Sequence, residues 1–214
     1  QNSLSIYLVG YALGLLFFGP LADKFPRRYL VIIGVSGFIV ATFVLLFVQT
    51  IEWFLTIRFV QAFISSAATV VVPGTIREYY GKKTAKGLSY VSMIMMLAPM
   101  IAPSIGSVIL TLHSWQAIFV GLAAYAVVVL VLTLRFLPNS TIVKNKSEVS
   151  FLGRYEIVFA HKGARLDLIT SMMISLAFFA YITAIPFVYL TVFGLNEFWF
   201  SVLFAFNVVA LMIA

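Results

Sequence analysis

The chain has 214 residues, 63% of them hydrophobic and only 10% charged, with no cysteine and a formal net charge of +7. Its mean hydropathy is +1.09, and no water-soluble domain of this size can solvate itself with so few charges, so composition selects a membrane protein. The missing cysteines exclude a disulfide framework, a thiolate metal site and a cysteine nucleophile, and the excess positive charge sits in short links, where it orients a membrane chain rather than gripping nucleic acid.

Gln1-Asn2-Ser3 carries no basic n-region, so the start does not read as a signal peptide. Seven apolar spans follow, at roughly 3–22, 29–49, 53–74, 88–111, 116–137, 167–191 and 197 to the end. Each approaches the roughly 20 residues that a helix needs to cross the hydrocarbon core. The last stops inside an apolar run from Leu203 to Ala214, which reads as a piece of something longer. The links are Asp23–Arg28, Thr50–Glu52, Arg77–Gly87, Leu112–Ser114, Pro138–Arg165 and Gly194–Glu197.

Short cytoplasmic links collect Lys and Arg. If the Asp23–Arg28 link is cytoplasmic, alternation puts the third and fifth links there too. With their helix ends, these three hold every Lys and Arg except Arg58. The opposite links hold none and carry Glu52 and Glu197, while Trp53, Trp115 and Trp199 fall at outer span ends, where amphipathic rings settle. The fold class is therefore all-α, a polytopic membrane helix bundle.

The long polar link divides the chain into residues 1–137, a connector at 138–165 and a second group of spans at 166–214. Within the connector, Phe151 to Phe159 reads either as a short interfacial helix or as a plain tether. In the helical reading Phe151, Tyr155, Ile157 and Val158 face lipid, and Arg154 and Glu156 face water.

Arg58 is the basic residue inside a span. Burying it costs a few kcal/mol at least, so it faces a protein interior or a cavity, or it snorkels to the outer headgroups. Gln61 lies on the same helix face at i+3, which favours a polar cluster. In the fourth span Ala98, Ala102 and Gly106 form a small-residue stripe suited to close helix approach. Pro99 and Pro103, offset by one position, remove two backbone donors and predict a local bend or stiffening. Gly10 and Gly14 form a GxxxG pair on the first span, read as a packing face. Tyr181 and Asn207 are further candidate cavity residues, with packing as the alternative. His113 and His161 fall on opposite sides of the membrane and share no metal. Neither a Walker-type Gly-rich loop nor GxSxG or HExxH occurs, and no span holds paired carboxylates, so an ATP-driven pump or an intramembrane enzyme is not expected.

The link Gly19-Pro20-Leu21-Ala22-Asp23-Lys24-Phe25-Pro26-Arg27-Arg28 resembles the loop signature G-x-L-a-D-r-x-G-r-r of the major facilitator superfamily, between that family's second and third helices. Arg58-Phe59-Val60-Gln61 resembles its fourth-helix motif R-x-x-Q-G, with Ala62 at the usual Gly. The run of Ala98, Pro99, Ala102, Pro103 and Gly106 resembles the fifth-helix antiporter motif in the form typical of the bicyclomycin/chloramphenicol-resistance (Bcr/CflA) exporters, within the drug:proton antiporter family. Pro26 stands at the family's loop Gly and cannot adopt a left-handed conformation.

This resemblance implies a partial major facilitator fold of about seven of twelve helices, from the second to part of the eighth. It implies proton-coupled efflux of a small molecule by alternating access across the cell inner membrane, without enzymatic chemistry, cofactor or metal, and with the proton gradient as energy source. Gly19, Asp23, Arg27 and Arg28 would form a cytoplasmic gating loop with partners on the other bundle. Arg58 and Gln61 would line the cavity and couple the proton, and the stripe would be the sliding seam. The 21 Phe and 7 Met suit a hydrophobic or cationic drug, though they suit lipid equally. The expected partners are that substrate and the bilayer, with no nucleic acid and the chain acting as a monomer. A uniporter or importer on the same fold, and a structural membrane protein or channel, remain as alternatives.

Overall fold

The computed structural model describes residues 2–112, 114–138, 151–196, 199–200, 202–204, 206–207 and 210. Helix α1 covers Asn2–Ala22, and its end is closed by the Lys24 and Phe25 amides, which both donate to the Leu21 carbonyl at 2.9 Å. Pro26 then holds φ −57° and ψ 129°, an extended entry that its ring permits, and α2 runs Arg27–Leu45. The apolar run continues past Leu45, but the helix does not reach the expected residue 49. It tightens through Leu46 to Phe43 and Phe47 to Val44 bonds before Thr50 extends into the next helix. Hydrophobicity marks depth in the bilayer; it does not mark where a chain must turn.

Helix α3 covers Ile51–Val70 and α4 covers Val72–Tyr80. A polar link was expected over Arg77–Gly87. Instead the helix runs through most of it, the Thr75 amide bridging back to Val71 at 2.9 Å, and the reversal is compressed into a 3₁₀ turn at Gly81–Lys83. Gly81 takes φ 48°, which a side chain would resist. The break between α3 and α4 falls just ahead of Pro73, which has no amide to give the preceding turn. Helix α5, Thr84–Leu112, is unbroken through Pro99 and Pro103.

Helix α6, Trp115–Phe136, ends because Leu137 precedes Pro138 and is pushed to φ −81°, ψ 111°. Helix α7 covers Phe151–Ala160, so the middle of the connector is helical. Helix α8 covers Lys162–Phe187, starting before the expected 167 because His161 Nδ1 caps it, accepting from the Ala164 amide at 3.3 Å. After Pro186 it loosens into a π-helical turn at Val188–Val192, and Gly194 at φ 63° ends it. The seventh expected span lies largely outside the described residues. Its start is marked by Asn196, whose Oδ1 accepts from the Trp199 amide at 2.9 Å. Helical stretches at Asn2–Ala22, Arg27–Leu45, Ile51–Met95, Trp115–Phe136 and Lys162–Val192 are long and apolar enough to cross a membrane.

The chain divides into two units, residues 1–92 with 105–144 and residues 93–104 with 145–214. In the first unit α3 is gripped between α1 and α2 through glycines. A Cβ at Gly10 would stand 2.5 Å from the Phe59 carbonyl oxygen, and one at Gly14 would meet the Phe63 carbonyl at 2.5 Å and Ser66 Oγ. On the other side a Cβ at Gly34 would stand 2.6 Å from the Ala68 amide nitrogen, and one at Gly37 would meet the Ile64 side chain. Lipid is as apolar as leucine, so such backbone-close packing, rather than hydrophobic burial, holds membrane helices together. The apolar core of this unit is Phe18, Leu30, Ala67 and Val71. In the second unit Tyr189 lies 6.1 Å from the ring of Phe200, which stacks on Phe204 at 5.7 Å.

Candidate functional site

Arg58 sits two turns into α3, where a guanidinium cannot shed its proton and is poorly placed in lipid. The first unit supplies what lipid cannot. The Arg58 guanidinium carbon lies 4.3 Å from the centre of the Tyr7 ring on α1 and 5.8 Å from that of Phe119 on α6, both within cation–π range. Arg58 Nη1 donates to Gln61 Oε1 at 2.7 Å, Gln61 Nε2 donates to Thr42 Oγ1 at 2.6 Å, and the Thr42 hydroxyl donates to the Phe38 carbonyl at 2.6 Å. Gln61 and Thr42 are completely buried. The relay therefore begins on a cation and ends on a backbone acceptor of α2, with a neutral amide between. Among the described residues two buried side-chain atoms have no hydrogen-bond partner, Arg58 Nε and Gln116 Oε1. Above this cluster Phe54, Trp115 and Phe119 pack edge to face, with centroids 5.8–6.0 Å apart, closing the end of the unit where α3 and α6 begin.

The opposite end of the same unit is basic. Arg27 and Arg28 occupy the N-terminus of α2, where the helix dipole disfavours cations, so other groups must hold them. Arg27 Nη1 donates to the Gly74 carbonyl at 2.8 Å and forms an ion pair with Glu78 of α4. The guanidinium packs closely over Gly74, where a Cβ would come within 3.1–3.2 Å of it. Arg28 Nη2 donates at 2.6 Å to the Leu134 carbonyl, one of the last of α6, which has no amide partner further along that helix. Gly19 lies in the last turn of α1 and Asp23 is exposed in the turn that follows. The partners of Arg27 and Arg28 just described thus belong to their own unit, whereas the resemblance implied partners on the other bundle.

Residues 2–214 match the Major Facilitator Superfamily. The chain belongs to that superfamily, a family of membrane transporters, and is a multi-pass membrane protein. It is 27% identical over 218 residues to the bicyclomycin resistance protein homolog of Haemophilus influenzae, covering 100% of this chain and 55% of that protein. It is 31% identical over 152 residues to the chloramphenicol resistance protein CraA of Acinetobacter baumannii, covering 71% of this chain and 37% of that protein. Identity to the multidrug resistance protein MdtL of Klebsiella pneumoniae is 29% over 162 residues, covering 72% and 41% respectively. The chain spans about half the length of the first of these relatives and less of the others.

Within this major facilitator chain the antiporter-like stripe behaves differently from the glycines of α1. Ala98 and Ala102 are exposed on α5, and a Cβ at Gly106 would meet nothing within 4 Å among the described residues. The side chains of Pro99 and Pro103 lie outside the described set. In the second unit Asn207 Nδ2 donates to the Tyr181 hydroxyl at 2.5 Å, so these two candidates are neighbours. His161 serves as a helix cap, and His113 lies outside the described residues.

Sequence reasoning passed over Thr42, Tyr7, Phe119, Glu78 and the Gly34/Gly37 face. Thr42 offered the faint signal of a hydroxyl in an apolar run. Glu78 offered a better one, as an acidic residue in an otherwise basic link.

Proposed function

We propose that this chain is part of a proton-coupled exporter of small, drug-like molecules, hydrophobic or cationic, working by alternating access in a bacterial inner membrane. Residues 1–137 would be most of its first bundle, 138–165 a cytoplasmic connector and 166–214 the start of the second. It would carry out no covalent chemistry and need no cofactor beyond the proton gradient, and it would act as a monomer. The observation that carries this reading is the half-buried Arg58, held by rings and a neutral amide rather than by a carboxylate. A cation so held keeps its positive field, and that field can lower the pKa of an acid brought near it and so tie proton release to movement of the substrate.

The similarity to proteins named for bicyclomycin, chloramphenicol and multidrug resistance supports the exporter reading and the substrate class. Gly19, Asp23, Arg27 and Arg28 would act as the gate at the basic end. The Ala98, Pro99, Ala102, Pro103 and Gly106 stripe would slide against a partner helix, and Tyr181 and Asn207 would contribute to the cavity from the second bundle. The test is Arg58→Ala in the full-length transporter reconstituted in proteoliposomes. Substrate-induced proton movement should vanish while substrate binding persists. Coupled efflux at the wild-type level would remove Arg58 from the mechanism, and transport that never moves a proton even in the wild type would favour uniport or import.

A further inference from the structure

The hairpin tip between α4 and α5 carries charge that the fold leaves unused. Arg77, Lys82, Lys83 and Lys86 are all exposed there, and none of them pairs with a carboxylate among the described residues. The carboxylate of this same segment, Glu78, is taken by Arg27. Like charges gathered this closely repel one another unless counter-charge is supplied.

The tip is also rigid. The Thr84 hydroxyl donates to the Gly81 carbonyl at 2.5 Å across the 3₁₀ turn, and Gly87 fits so closely under α4 that a Cβ would stand 2.6 Å from Ile76 and 2.8 Å from Tyr80. Three tyrosines flank Lys82, Lys83 and Lys86 along the chain: Tyr79 is 60% exposed, Tyr80 39% and Tyr90 46%, and the Lys86 ammonium lies 5.8 Å from the Tyr90 ring centre.

In a multi-pass membrane protein, the end of a helical hairpin meets the headgroup layer, where tyrosine rings settle. Orienting a chain requires only positive charge near the turn. It does not require a braced turn with exposed tyrosines on both flanks.

We propose that this tip is a docking surface for anionic phospholipid headgroups, with Lys82, Lys83 and Lys86 as the contact cations and Tyr79 and Tyr90 resting at headgroup depth. The lipid phosphodiester supplies the missing counter-charge, and the braced turn presents the ammonium groups without first having to order them. Each Lys near an anionic surface changes partitioning about five-fold, so removing three should lower retention by about a hundred-fold.

The test uses the intact membrane-embedded protein, released from bilayers of phosphatidylcholine mixed with phosphatidylglycerol and weighed with its bound lipid by native mass spectrometry. The wild type should retain phosphatidylglycerol over phosphatidylcholine, and the preference should weaken with salt. The K82Q/K83Q/K86Q variant should lose the preference, while K82R/K83R/K86R keeps it, with helicity by circular dichroism checking that both are folded. If the glutamine variant does not fold, single K83Q and the wild-type salt dependence decide instead. Equal retention in the glutamine variant, or no wild-type preference, overturns the proposal. So does displacement of the lipid by inorganic phosphate or a soluble polyanion at matched ionic strength, which would assign the tip to a free anion instead.

Discussion

Arg58 and Arg27 stand at opposite ends of the same helical unit and are held in opposite ways. Arg27 is part-exposed at the basic end and faces the Glu78 carboxylate, so its charge is neutralised where water and salt can reach it. Arg58 lies among α1, α3 and α6 against two rings and an amide, none of which cancels its charge. An ion pair at a rim is exchangeable and weak, typically about 0–1 kcal/mol. A half-buried cation held by neutral groups is strongly placed and still electrostatically active. The difference teaches that the residue type does not settle the role; the sign and solvation of its partners do.

The comparison can be broken by severing the frame beneath one arginine and leaving the other alone. Gly14→Leu should have the largest effect, about 3 kcal/mol from overpacking. It wedges α1 away from α3 and takes Tyr7 off Arg58, while the α2–α4–α6 contacts of Arg27 and Arg28 involve no α1 side chain. Unfolding in detergent should show the loss. A double-mutant cycle should find Gly14→Leu coupled to Arg58→Met and additive with Glu78→Gln; additivity with both would mean that α1 does not hold Arg58.

Next comes Gln61→Leu, expected to cost about 2 kcal/mol because it removes a hydrogen bond to a charged group and the bond that the buried Thr42 hydroxyl accepts. Little change in unfolding free energy would show that the rings alone carry Arg58. Thr42→Val, which trims the far end of the relay, should cost about 1 kcal/mol. Glu78→Gln should cost least, under about 1 kcal/mol, and its effect should fade in high salt because the pair is part-exposed. The Gln61→Leu loss should persist in the same salt. Matching salt dependence in the two variants would erase the distinction between the ends.

Much of this was legible in one dimension. The expected spans at 3–22 and 116–137 lie close to α1 and α6, and the Gly10/Gly14 pair read as a packing face meets α3 as such. Boundaries were less legible. The α2 run stays apolar beyond the helix end at Leu45, and the polar Arg77–Gly87 segment is mostly helical, because polarity reports exposure to water and not backbone conformation. Gln61 was found from its i+3 spacing to Arg58, a local relation. Thr42 lies 19 residues from Gln61, and Leu134 lies 106 from Arg28, and no local period points to either.

By itself, the sequence determined that the chain crosses a membrane repeatedly, where its cations collect and which arginine is out of place. These follow from the length of apolar runs and the position of charges, which are properties of the chain read along itself. Only the tertiary structure decided that Arg58 rests on Tyr7 and Phe119, that Gln61 passes its bond to Thr42, and that Arg27 is neutralised by Glu78. Those pairings come from helices brought side by side, and partners chosen across space leave no periodic trace in a linear string.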